Sequence, residues 1–175
     1  DDEGRRLLQT STTDDGVFIP PECRQFVSAT VHIIYAMSDQ STYETRNVLN
    51  KPAVERMHTL EEKIKAMPEY EDLCYQGVKY CNGGCMPPNS LIEQFYDNGQ
   101  LMFEETLTGP NLENVGIYYY TDKTFDAARL SASAIRSDFL FSRPLPGYAS
   151  ADDRVSEQND KIRKFIEGLH DTLSE

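Results

Sequence analysis

"SASAIRSDFLF", Ser131–Phe141, is the stretch on which the fold turns. Ile135, Phe139 and Phe141 fall on one parity, Arg136 and Asp138 on the other. Successive side chains of a strand point to opposite faces, so the alternation predicts a β-strand with one covered and one wet face. Downstream, "SRPLPGY" turns the chain, because proline and glycine interrupt a sheet ladder. "DDRVSEQNDKIRKFIEGLHDTL" then opens on Asp152, a good N-cap, and sets Val155, Ile162, Phe165, Ile166, Leu169 and Leu173 on one stripe. This predicts a long amphipathic helix. Its solvent face offers Glu157/Lys161 and Asp160/Lys164 at four-residue spacing, pairs worth only about 0.2–0.5 kcal/mol each.

Upstream lies "ENVGIYYYTD", a second strand in which Tyr118 and Tyr120 must point opposite to Tyr119. Sheet packing is the simpler use of these tyrosines, and an aromatic ligand platform the alternative. Further back, "SATVHIIYAM", Ser28–Met37, is rich in β-branched and aromatic residues and reads as the first strand, with His32 as a half-buried strand residue. Between these two strands sits a helix. Asn50 can cap it, Pro52 fits its first turn, and Val54, Met57, Leu60, Ile64 and Met67 recur at helical spacing before Pro68 ends it. His58 falls at the edge of that stripe.

Residues 68–113 are too many for a simple connector and predict an elaborated insertion, with Asn89 or Ser90 capping a short helix that carries Leu91, Ile92 and Phe95. Three of the four cysteines crowd into it. Cys74, Cys81 and Cys85 are spaced C-x6-C-x3-C, with Cys23 far upstream. Zinc sites usually offer two close cysteine pairs or a cysteine pair with a histidine pair, and His32, His58 and His170 do not supply the latter. No C-x-x-C redox motif occurs, so disulfides in an extracellular or luminal compartment are the better reading. Four cysteines permit three connectivities. A Cys81–Cys85 bridge across Asn82-Gly83-Gly84 would close a very short, easily strained loop. We expect Cys74 with Cys85, which leaves Cys81 for Cys23.

The 175 residues can bury a core unaided, and 39% hydrophobic content with ten tyrosines and eight phenylalanines fits a globular chain. The formal charge of −12 comes with scattered basic residues, which excludes a phosphate-tracking surface, and nucleic acid is not an expected partner. Residues 1–20 carry five acids and little apolar periodicity, which predicts a flexible acidic segment ahead of a single α/β domain over 21–175. The opening residues read as the interior of a longer precursor. No apolar run approaches the roughly 20 residues of a membrane helix, and no signal peptide or N-glycosylation sequon is present. No nucleophile elbow, P-loop, zinc-helix or paired-carboxylate motif appears either. The chain reads as non-catalytic, with no cofactor, metal site or catalytic residue.

The order strand, helix, insertion, strand, strand, helix predicts an α+β fold: a ferredoxin-like split β-α-β sandwich with its last strand missing. That arrangement orders the strands fourth, first, third, second, so the edge of Ser28–Met37 would stand open. "YEDLC" ahead of "CMPPNSL", then "SAIRSDFLFSRPLPGY" and the terminal helix, resemble the first extracytoplasmic domain of Patched- and Dispatched-like transporters of the resistance-nodulation-division superfamily, over about residues 26–173. The resemblance implies a porter domain on the extracellular or luminal face of a multi-span membrane protein that moves sterol, lipid or lipidated cargo. It also implies a second homologous extracytoplasmic domain as partner. Cys74 and Cys85 match the family's luminal cysteine pair, while Cys23 and Cys81 depart from its pattern. The family's coupling carboxylates lie in membrane helices, so no site residue carries over. A free extracellular binding or structural module, disulfide-stabilised on the same fold, is the competing reading.

Overall fold

A computed structural model describes residues 23–37, 47–81, 84–97, 99–102, 120–126 and 129–173, with the backbone of 11–12 and 18–19. Tyr118, Tyr119, the Asn82-Gly83 half of the short turn and residues 103–113 of the insertion lie outside the described residues. The architecture is mixed α and β. Strands β1 (Ser11–Thr12) and β2 (Phe18–Ile19) pair antiparallel, Ser11 opposite Ile19. Strand β3 (Phe26–Ala36), helix α1 (Lys51–Lys65), the short helices α2 (Tyr70–Leu73) and α3 (Gly77–Tyr80), and a 3-10 helix (Ile92–Phe95) follow. The chain continues through β4 (Tyr96–Asp97), β5 (Gln100–Leu101), β6 (Tyr120–Thr121), β7 (Ala134–Arg143) and helix α4 (Val155–Leu173). A three-stranded sheet has the order β3-β7-β6, and β4 pairs with β5. In the antiparallel β6/β7 pair, Tyr120 faces Arg136 and Thr121 faces Ile135.

The boundaries differ from the sequence expectation in instructive ways. Strand β7 begins and ends later than Ser131–Phe141, since Ser131 exchanges both backbone hydrogen bonds with Asp126 in a local turn. Helix α4 starts at Val155, not after an Asp152 cap. Arg154 takes a left-handed φ of 46°, and the buried Gln158 side chain reaches back, donating to the Ser150 and Asp153 carbonyls and accepting from Leu145 N–H. A side chain from inside the helix thus holds the turn that an Asp152 cap would have held. Arginines, instead of the two lysines, take the expected acids: Arg163 bonds Asp160, and also Glu167, at 3.1 Å each, and Arg154 approaches Glu157 to 3.4 Å.

The structure divides into two compact units, each assembled from three chain segments. Unit 1 comprises Asp1–Ala29, Glu69–Met86 and Leu140–Gly168; unit 2 comprises Thr30–Pro68, Pro87–Phe139 and Leu169–Glu175. Strands β3 and β7 each contribute residues to both. In unit 1, Phe141 is fully buried, edge-on to Tyr70 at 6.2 Å between ring centroids and tilted against Phe165 at 5.4 Å. Such aromatic packing adds to the area the rings remove from water. The core of unit 2 joins Val48, Leu49, Val54 and Met57 to Leu91, Ile92, Phe95 and Ile135. Asn50 opens α1 as expected, its side-chain oxygen accepting from Ala53 N–H at 3.0 Å, with Pro52 in the first turn. The buried face of α1 is Ala53, Val54, Met57, Glu61 and Ile64, so an acid stands where the apolar stripe should continue.

Candidate functional site

In unit 1 the cysteine-bearing segment is tied down by covalent and polar bonds together. Cys74 is bridged to Cys85 and Cys23 to Cys81, with Cα atoms 5.5 and 5.1 Å apart, within the ordinary range for disulfides. Cys74 follows α2 and pairs with Phe141 of β7 as an isolated bridge, while Tyr75 N–H donates to Leu140 O at 2.9 Å. Gly77, at φ 59°, lets α3 start at a left-handed position that a side chain would strain. Arg24 lies buried behind this frame. Its Nε donates to Cys74 O at 2.9 Å and its Nη2 to Glu71 O. Burial lowers the Arg24 pKa, with the negative charge of Asp72 opposing the shift. Ser142 Oγ also donates toward Arg24 O and Cys74 O, at 3.1 and 3.3 Å.

Two depressions mark the surface of unit 1. The first, about 280 Å³, has Leu73, Leu145 and Pro146 between Glu69 and Asp72 on one side and Lys161 and Lys164 on the other. Glu69 holds a left-handed φ of 70°, uncommon for a residue with a side chain. The second, about 410 Å³, runs between Ser28 and Ala29 of β3 and Asn159, Ile162, Arg163, Ile166 and Glu167 of α4. Phe26 and Val27, close by in β3, are 62% and 49% exposed. Both depressions are partly open to solvent.

Unit 2 contains a buried polar cluster. Glu61 of α1 is fully buried, and its Oε1 accepts from Ser137 Oγ of β7 at 2.6 Å, Ser90 Oγ at 2.8 Å and Tyr35 OH of β3 at 3.2 Å. Ser137 Oγ and Ser90 Oγ are themselves 2.8 Å apart, and Ser90 Oγ accepts from Ile92 N–H at 3.1 Å at the start of the 3-10 helix. Oε2 has no hydrogen-bond partner among the described residues. Burial pushes the Glu61 carboxyl above its ordinary pKa against the three hydroxyl bonds, and the charge of Glu93 adds to the rise. Tyr35 is raised far above an ordinary phenol by burial and by Glu61.

On β3, His32 Nδ1 lies 2.6 Å from Asp138 Oδ1, which Arg136 Nε approaches to 3.0 Å. Asp138 is buried and His32 half exposed, so the face that the sequence alternation assigned to water is partly covered, and the sheet brings His32, Asp138 and Arg136 together on it. His58 stacks on Tyr96 at 3.6 Å, and Lys65 joins Glu62 and Glu93 at 2.5 and 2.6 Å. His170 lies at the exposed end of α4. The three histidines therefore occupy separate environments. Among the described residues no group of three or more His, Cys, Asp or Glu is placed to hold a metal.

Glu61 is the residue that sequence reasoning missed. The available signal was its spacing: it lies four residues after Met57 and three before Ile64, inside the apolar stripe.

Comparison with known proteins bears out the likeness to Patched- and Dispatched-like proteins. The chain is 28% identical to protein dispatched homolog 3 of Homo sapiens over 141 residues, covering 69% of this chain and 10% of that protein. The corresponding values are 27% identity for the Mus musculus protein and 26% for that of Gallus gallus, with the same shares covered. The chain thus spans about a tenth of the length of the curated relatives it matches. No family model and no solved structure matches it.

Proposed function

We propose that this chain is an extracytoplasmic porter-type domain of a Patched/Dispatched-like transporter, on the extracellular or luminal side of a multi-span membrane protein. The sequence similarity to protein dispatched homolog 3 carries the proposal. The strand order β3-β7-β6, with a helix after β3 and another after β7, supports a ferredoxin-like split β-α-β reading, in which the first strand lies beside the third and the third beside the second. The two disulfides suit an oxidising compartment.

In this reading the domain is mechanical, not catalytic. Its disulfide frame stiffens the insertion, and its open apolar surface around Phe26 and Val27 is completed by a second homologous extracytoplasmic domain to form a path for sterol, lipid or lipidated cargo. Fractionation of cells that make the protein tests the membrane context. An antibody raised against residues 51–65 should detect a species much larger than 19.9 kDa that stays with membranes after alkaline extraction. A protein of about 20 kDa released into the medium would replace this reading with that of a free extracellular module.

A further inference from the structure

We propose that Glu61 is a proton-binding site that latches helix α1 onto the strands of unit 2 and loosens as the carboxyl ionises. The geometry carries this. Among the described residues the three hydroxyl donors converge on Oε1, none serves Oε2, and Glu61 has no exposure to water. An ionised carboxylate shares its charge between both oxygens, so it would leave half of that charge buried without a donor, a costly condition.

The neutral form suits the cluster better. A hydroxyl at Oε1 can donate its hydrogen bond to Ser137 Oγ at 2.6 Å while keeping the proton, and Ser137 can donate onward to Ser90 Oγ at 2.8 Å. Ser90 Oγ meanwhile accepts from Ile92 N–H, and Tyr35 OH continues to donate to Oε1. Oε2 is then an uncharged carbonyl oxygen, and its lack of a partner costs far less than a missing partner for an anion. In the neutral form α1, β3, β7 and the segment leading into the 3-10 helix thus stay joined without a buried charge.

The charged surroundings favour the same form. From β3 the only titratable neighbour bonded to Glu61 is Tyr35, whose own ionisation would place a second anion beside it. From the 3-10 helix comes Glu93, whose negative charge opposes ionisation even while it is paired with Lys65. Along α1, Lys65 is shared between Glu62 and Glu93. From β7 the contact is the neutral Ser137.

A carboxyl whose folded-state pKa lies above its unfolded one contributes its full stability below the unfolded value and loses it as pH rises through the folded value. The latch is therefore tight in acid and loose in base.

Carbon-detected NMR of the Glu61 side-chain carboxyl in the intact chain provides the first test and needs no variant. The expected result is a titration midpoint displaced above that of ordinary glutamates. Amide hydrogen exchange supplies the second. Exchange over Val54–Ile64 should accelerate with pH beyond the intrinsic chemical dependence, exchange over residues 155–168 should not, and the Glu61→Gln variant should lose the excess. A midpoint at or below the ordinary glutamate value overturns the proposal. So does an excess acceleration that is absent from the native chain or unchanged in Glu61→Gln.

Discussion

Replacing Cys74 and Cys85 together by alanine opens the smaller of the two covalent loops, and the structure sets the size of the effect. The cysteines are 11 residues apart in sequence. Closing a loop of that length in the unfolded chain removes entropy equivalent to about 3 kcal/mol at room temperature. The Cys23–Cys81 bridge, at a separation of 58, corresponds to about 4 kcal/mol by the same argument. The loops overlap, because Cys81 lies between Cys74 and Cys85, so the two figures do not add and the smaller is an upper value for the variant that keeps Cys23–Cys81. Alanine is the suitable replacement because Cys74 is buried and a serine hydroxyl there would need a partner. With a urea m-value of about 2 kcal/mol/M, the transition midpoint should fall by roughly 1.5 M. Peptide mapping of the native chain with and without reductant identifies the pairing in the same preparation. A midpoint unchanged in a chain shown to contain the Cys74–Cys85 bridge would refute the loop-entropy reasoning, and two free thiols would remove both the bridge and the compartment argument.

Phe141→Ala should destabilise the chain by about 3–5 kcal/mol in the same urea assay, since a fully buried ring between Tyr70 and Phe165 leaves a cavity its neighbours cannot fill; a loss under about 1 kcal/mol would mean that unit 1 collapses readily around the gap. The isolated 175-residue chain should bind sterol weakly or not at all by fluorescent-sterol titration, because its surface depressions are open and a conduit needs a neighbouring domain to close it. Tight one-to-one binding by this chain alone would favour a free binding module.

The features legible in the sequence were those set by local physics. The parity of Ile135, Phe139 and Phe141 against Arg136 and Asp138 placed β7, and the Asn50 cap with Pro52 placed the start of α1. The start of α4 escaped because Gln158, four residues inside the helix from Arg154, organises the turn from within, and no capping pattern encodes that. Glu61 escaped for a related reason. Acids on a helix belong to the solvated face by default, and burying this one depends on hydroxyls from positions 35, 90 and 137, which only the tertiary fold brings together. The cysteine spacing narrowed the pairings but could not reveal Arg24, which serves the backbone carbonyls of the frame from 50 residues upstream.

The central claim is that this domain faces away from the cytosol on a multi-span membrane protein, and antibody access to the native full-length protein tests it most directly. A short epitope inserted at Gly99, in the β4–β5 turn where a Cβ would meet no neighbour within 4 Å, leaves the packed segments intact. In cells whose plasma membrane alone has been opened, cytosolic antibody should fail to reach the epitope, and labelling should come only from outside intact cells or after internal membranes are dissolved. An epitope labelled from the cytosol would contradict the account.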